Sequence, residues 1–219
     1  MNEYNQIIII HAVGNSTLFL DKFKEEFSEY YFSFNSNKES VIKAKYILGE
    51  LNPKSLIIYL GHGSSFGLYV PDENHLYENL FVDVNWGNVF FEEHDIILLS
   101  CKSNEYISKI YKSNLSIGFG NIISSYDELK IYNDKNEIKK SLNVDEINLF
   151  NKIYIECSIT IIRYLISNKI SFIDIPKYFR FILNKEINKI LLNKENENRV
   201  ELSRMLFEFR NEILLKKNV

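Results

Sequence analysis

The chain has 219 residues, 46% of them hydrophobic and 25% charged, with a formal net charge of −3. That length supports one well-buried core and is short for two full domains. The slightly acidic balance offers no basic field for nucleic acid. Two cysteines in the whole chain exclude a secreted disulfide framework and point to reduced thiols in a cytoplasm.

The start, Met1 to Gln6, is polar and lacks a positive n-region, and the apolar run after it is too short for a signal peptide. That run, Ile7-Ile-Ile-Ile10, is β-branched and predicts a central buried strand, with His11-Ala-Val-Gly14-Asn-Ser16 as the loop at its carboxyl end. A helix over 17–28 and a strand over 30–34 follow. Ser36-Asn-Lys-Glu39 has capping-box spacing and opens a helix to about Leu51, stopped by Pro53. Residues 55–60 predict the third strand. The stretch from Gly61 to His94 is irregular, with a small hairpin predicted from Leu68–Val70 and His75–Tyr77 around Pro71-Asp-Glu-Asn74, then a helix over 84–91. The fourth strand is 96–100, a helix covers 103–113, and a fifth strand covers 115–119. Residues 121–143 read as polar loop with some local structure. The remainder reads as helix over 145–168, 173–193 and 197–216, with Pro176 tolerated in a first turn. Its most apolar part, Ile153 to Ile166, contains Glu156 and Arg163 and is a poor membrane span. Strand-helix alternation over the first part predicts an α/β fold: a mainly parallel sheet with helices on both faces. The chain divides into an α/β core over 1–143 and a helical portion over 144–219, within a single domain.

Two runs carry the chemistry. Leu56-Ile-Ile-Tyr-Leu-Gly-His62 and Asp95-Ile-Ile-Leu-Leu-Ser-Cys101 each end an apolar strand and deliver one reactive side chain just past it. Chemistry in parallel sheets collects at the carboxyl ends of strands. If the two strands are neighbours, their backbones lie about 4.8 Å apart, and a thiol and an imidazole meet there. A lone cysteine is usually structural. Cys101, however, precedes the polar Lys102-Ser-Asn and the start of a helix, whose amides and whose lysine favour a thiolate. A lone histidine is more often satisfied or exposed than catalytic. Here Gly61 and Gly63 flank it and allow close backbone approach. The amides of Gly63 and Cys101 are candidate donors to an oxyanion, with His62 as general base and acid. Gly61 to Gly67 misses the G-x-G-x-x-G spacing by one residue and opens no helix, which argues against a dinucleotide loop. Cys157, inside an apolar helix, reads as core. His75 and His94 read as surface residues, no His, Cys and carboxylate set has metal spacing, and no cofactor is expected.

Strand-Gly-His62-Gly63 followed by strand-Ser100-Cys101 resembles the caspase-like (clan CD) cysteine peptidases, and among them most nearly the bacterial CHAT-domain proteases. The likeness covers about residues 5–180 in element order. It departs in lacking an Ala between Ser100 and Cys101, and in Asn104, where a Gly often stands. The resemblance implies the three-layer caspase-hemoglobinase fold, a His62–Cys101 dyad with no obligatory third residue, and an oxyanion hole of the Gly63 and Cys101 amides. It matches Ile117-Gly-Phe-Gly120 to the strand after the cysteine helix. It also implies a substrate pocket drawn from the loops after the first and fifth strands, which brings in His11, Asn15, Ser16, Ser124, Ser125 and Asp127. Asp72 and Asp127 are the acids that could select a basic side chain, although a solvated loop acid is the better reading of either one alone.

The expectation is therefore a cytoplasmic cysteine endopeptidase acting on a protein substrate, held inactive until a protein partner switches it on. Neither nucleic acid nor membrane is a direct partner. The family suggests an immune or stress pathway such as antiphage defence. The rival class is a catalytically inactive adaptor on the same fold. A third reading is a cysteine hydrolase of a non-peptide amide or ester.

Overall fold

The computed structural model describes residues 3–72 and 77–218. In chain order the elements are β1 (Ile7–Ala12), a 3₁₀ segment (Asn15–Asp21), α1 (Lys22–Glu26), β2 (Tyr31–Phe34), α2 (Lys38–Gly49), β3 (Leu56–Leu60), β4 (Gly63–Ser64), β5 (Gly67–Tyr69), β6 (Leu80–Asp83), α3 (Val84–Phe90), β7 (Asp95–Leu99), α4 (Ser103–Ile107), β8 (Leu115–Gly118), α5 (Tyr126–Lys135), α6 (Val144–Ile166), a 3₁₀ turn (Phe172–Asp174), α7 (Ile175–Leu192), α8 (Arg199–Asn211) and β9 (Leu214–Lys217). They form two compact units. One is Met1–Gly120 with Ile213–Val219, and the other is Asn121–Glu212.

The first unit is built on a six-stranded sheet of order β2-β1-β3-β7-β8-β9. Its first five strands run parallel and β9 closes the edge antiparallel. The Ile- and Leu-rich runs form the central strands because both of their faces are buried, as parallel sheets require. Ile8, Ile10, Ile57, Tyr59, Ile96 and Leu98 share one core with Ala44 and Leu48 of α2, Phe90 of α3 and Tyr106 of α4. The opposite-facing Ile9, Ile58 and Ile97 are equally buried. A second, antiparallel sheet β4-β5-β6 follows directly on β3 and carries the loop of His62.

The second unit is helical. Asn143 opens α6 as a true capping box: its side chain accepts from the Asp145 and Glu146 amides, and Glu146 accepts from the Asn143 amide at 2.7 Å. The apolar stripes of α6, α7 and α8 meet around Phe209, whose ring stands edge-on to Phe150 at 5.8 Å, Tyr154 at 5.3 Å and Phe179 at 6.5 Å. No helix among the described residues is long and apolar enough to cross a membrane.

Several local expectations are corrected. The α2 cap is Asn37, which accepts from the Glu39 amide, and not Ser36. The segment 17–28 is a 3₁₀ run followed by one short helix. The helix after Cys101 stops at Ile107 and not Ser113, because Asn88 of α3 draws the Tyr111 and Lys112 amides to its own carbonyl. The partner strand of β5 is β6, while part of the hairpin expected at His75–Tyr77 lies outside the described residues. The 121–143 stretch contains α5, and the chain end is the strand β9 rather than the last turns of a helix. That strand returns residues 213–219 to the first unit. His94 is buried and its Nδ1 accepts from the Ser55 amide, so it is not a surface residue.

Candidate functional site

β3 and β7 are hydrogen-bonded neighbours with Leu56 opposite Asp95 and Leu60 opposite Leu99. The paired register ends there, and His62 and Cys101 each stand two residues past the last paired position. The Gly61 amide still donates to Leu99 O at 3.4 Å, so the ladder is only starting to open at this point. His62 and Cys101 therefore both follow the carboxyl ends of adjacent parallel strands.

The His62 loop departs through Gly61, at φ +154, where a Cβ would lie 2.7 Å from the Tyr59 hydroxyl and 2.9 Å from Ala12 Cβ. Only glycine makes that turn without strain. Gly63 is glycine for a different reason. A Cβ there would sit 2.7 Å from Ser100 Oγ, 3.0 Å from Ser100 Cβ and 3.2 Å from the Cys101 carbonyl oxygen. The loops after β3 and β7 thus touch at Gly63. The Tyr69 amide donates to His62 O at 3.0 Å, which makes 62 and 69 a bonded pair. By the alternation of an antiparallel ladder, Gly63 and Leu68 are the next, non-bonded pair, and the Gly63 amide points away from β5.

The Cys101 loop is fastened from below. The buried Ser103 hydroxyl donates to Leu98 O at 2.7 Å, lies 2.8 Å from Ser100 O, and accepts from the Phe119 amide at 2.8 Å. It ties the ends of β7 and β8 together under the cysteine. Lys102 follows at φ 52, a left-handed conformation uncommon for a residue with a side chain, and its amide donates to Gly120 O at 2.8 Å. Strain of this kind is held where the surroundings over-determine it, and functional loops are the common place. Cys101 is half-buried, whereas Cys157 in α6 is 2% exposed. The helix after Cys101 has only 5 residues, so its dipole adds less to the thiol than a long helix would.

The imidazole of His62 has partners that sequence reading did not assign to it. Ser16 Oγ lies 2.6 Å from Nε2 and the Tyr77 hydroxyl lies 3.1 Å from the same nitrogen. Ser16 was expected in a substrate pocket, on its position after β1. Tyr77 gave no signal at all, because its role depends on how the chain returns after residue 72.

The other expected site residues have local duties. His11, expected in the substrate pocket, has no exposed surface. Its Nδ1 lies 2.6 Å from the Tyr31 hydroxyl, and burial pulls the imidazole from 6.5 down to about 4 against the opposing charge of Asp21. The 3.6 Å contact with Asp21 is consequently not an ion pair at neutral pH. This predicts acid sensitivity. Above pH 6.5 neither folded nor unfolded chain holds this proton. As pH falls from 6.5 toward 4 the unfolded chain takes it and the folded chain does not, so about 3 kcal/mol of stability is lost across that window. His11→Asn is expected to flatten that limb in urea melts, and an unchanged limb would contradict the assignment. Asp72 accepts from the Tyr77 amide at 2.9 Å. In the second unit, the Ser124 amide and hydroxyl donate to Glu128 at 2.7 and 2.9 Å beside the α5 cap Ser125, and the exposed Asp127 pairs with Lys130 at 3.1 Å.

Comparison of the chain with protein-family models, curated proteins and solved structures finds no match in any of the three.

Proposed function

We propose that the chain is a cysteine endopeptidase of caspase-like fold, nearest the CHAT type, in which Cys101 attacks a peptide carbonyl and His62 handles the protons. The observation that carries this reading is the pairing of β3 with β7, which makes the strands leading into His62 and Cys101 parallel neighbours with their carboxyl ends on one sheet edge. The thiol proton passes to His62, the thiolate sulfur bonds to the carbonyl carbon, and the carbonyl oxygen takes the negative charge. The amides of Gly63 and Cys101 hold that oxygen. On collapse, the leaving amine takes the proton from His62, and water then hydrolyses the thioester. The close contact of Gly63 with the Cys101 loop supports a single compact oxyanion site.

The substrate is a protein, the setting is a reducing cytoplasm, and a protein partner regulates the dyad. A bacterial defence or stress pathway fits such a regulated peptidase. Comparing new peptide termini in cells expressing wild type or Cys101→Ala, under infection and other stress, tests this. Termini that depend on Cys101 are expected. Identical termini under every condition would leave the inactive adaptor as the better reading.

A further inference from the structure

Resting on the dyad reading above, we infer that Ser16 and Tyr77 are positioning residues that hold the His62 ring through Nε2 and favour its protonated form, so that Nδ1 is the nitrogen that exchanges a proton with Cys101. Both hydroxyls address one ring nitrogen, at 2.6 and 3.1 Å, and lie 3.3 Å from each other. Hydroxyl oxygens accept as well as donate, so both receive the Nε2–H of an imidazolium.

Each residue is itself fixed. Ser16 sits in the 3₁₀ segment after β1, and its neighbour Thr17 anchors that turn by donating to Ala12 O at 3.0 Å while accepting from the Gly14 amide at 2.9 Å. Tyr77 stands at φ 48, an unfavourable conformation for an aromatic residue, with its amide held by the Asp72 carboxylate. Its ring lies against the imidazole with centroids 4.4 Å apart, and against Tyr69 at 5.6 Å. A strained backbone that delivers a hydroxyl to the base is the pattern expected of a site residue. Asp72, expected in the substrate pocket, acts here through the Tyr77 backbone.

The proton balance is simple. The Cys101 S–H bond breaks, an Nδ1–H bond forms, and the resulting positive ring shares its charge through Nε2–H with two oxygen acceptors. Charge-assisted hydrogen bonds are stronger than neutral ones, so losing the hydroxyls weakens the ion pair and returns the proton to sulfur.

The test is the pH profile of iodoacetamide alkylation of Cys101 in wild type, Ser16→Ala, Tyr77→Phe, the double variant and His62→Ala. Slow labelling of Cys157 in each serves as the internal measure of folding. Each single variant is expected to move the profile to higher pH and to slow neutral labelling about tenfold, the double variant more, on the scale of one charge-assisted bond apiece. If the hydroxyl variants superimpose on wild type while His62→Ala shifts the profile, this inference fails and the dyad stands. If His62→Ala also superimposes, the dyad reading itself fails. A fluorophosphonate that acylates Ser16 in a His62-dependent way would make that hydroxyl a nucleophile and overturn its positioning role.

Discussion

In the native protein Cys101 is expected to react with a small electrophile at least ~10³-fold faster than Cys157, and unfolding is expected to erase the difference. Cys157 lies inside α6 with 2% exposure. Burial pushes its thiol far above the ordinary range, and the nearby Glu186 charge adds to that. Such a thiol carries almost no thiolate, and a reagent reaches it only through opening of the helical unit. Cys101 is half-buried at the mouth of β7. Its advantage has two parts, access and ionisation, which His62→Ala separates. That variant leaves access intact and is expected to slow Cys101 by roughly 10- to 100-fold at neutral pH, the loss of thiolate expected when a thiol returns to its free value of about 8.5. Quantitative labelling followed by mass spectrometry of the two cysteine peptides measures both effects. Equal, slow labelling of the two thiols in folded protein would favour the adaptor.

Gly63→Ala is expected to lower kcat by roughly 10²-fold, the scale of losing one oxyanion donor. The added Cβ meets Ser100 Oγ at 2.7 Å, Ser100 Cβ at 3.0 Å and the Cys101 carbonyl at 3.2 Å. Contacts under about 3.0 Å force something to shift, and the loops of β3 and β7 are what can give. They separate by a few tenths of an ångström, and the amide at 63 moves with them. The stability cost is expected to stay near 1–3 kcal/mol, as for other overpacked sites. Ser100→Gly in the same chain removes two of the three contacts and is expected to restore part of the lost rate. Full activity in the single variant would show that the two loops do not need this approach.

Much of the site could be read in the residues because its two halves end equivalent runs. Four Ile or Leu residues announce each strand, and His62 stands as far past Leu56 as Cys101 stands past its register partner Asp95. Parallel, doubly buried strands leave that signature, and it located the carboxyl edge of both strands. The neighbourhood of β3 and β7 was an assumption that only tertiary structure supplies. The second half of the histidine's environment was hidden for the same reason. Ser16 stands on β1's loop and Tyr77 returns from the β5–β6 connection, so no spacing links either to His62. The α5 helix escaped because it has a single buried apolar residue, Leu129, in a polar segment. β9 escaped because Leu202, Met205, Leu206, Phe209 and Ile213 carry helical spacing up to its first residue, and four residues of strand are too few to break that period. His11 shows how little edge position alone says of burial. It stands at a carboxyl edge, where position suggests chemistry, yet its ring is fully buried and bonds Tyr31.

The central claim is that the sulfur and the ring share one proton. The direct measurement is a paired titration, following thiolate ultraviolet absorbance of Cys101 and the imidazole resonances of His62 in the same folded protein. The account predicts thiolate absorbance at neutral pH that disappears on acidification together with the imidazolium signal, and loss of both features in the partner-deleted variants Cys101→Ala and His62→Ala. Independent behaviour, with the thiol ionising only near ~8.5 and the ring near ~6.5 whether or not its partner is present, would contradict it.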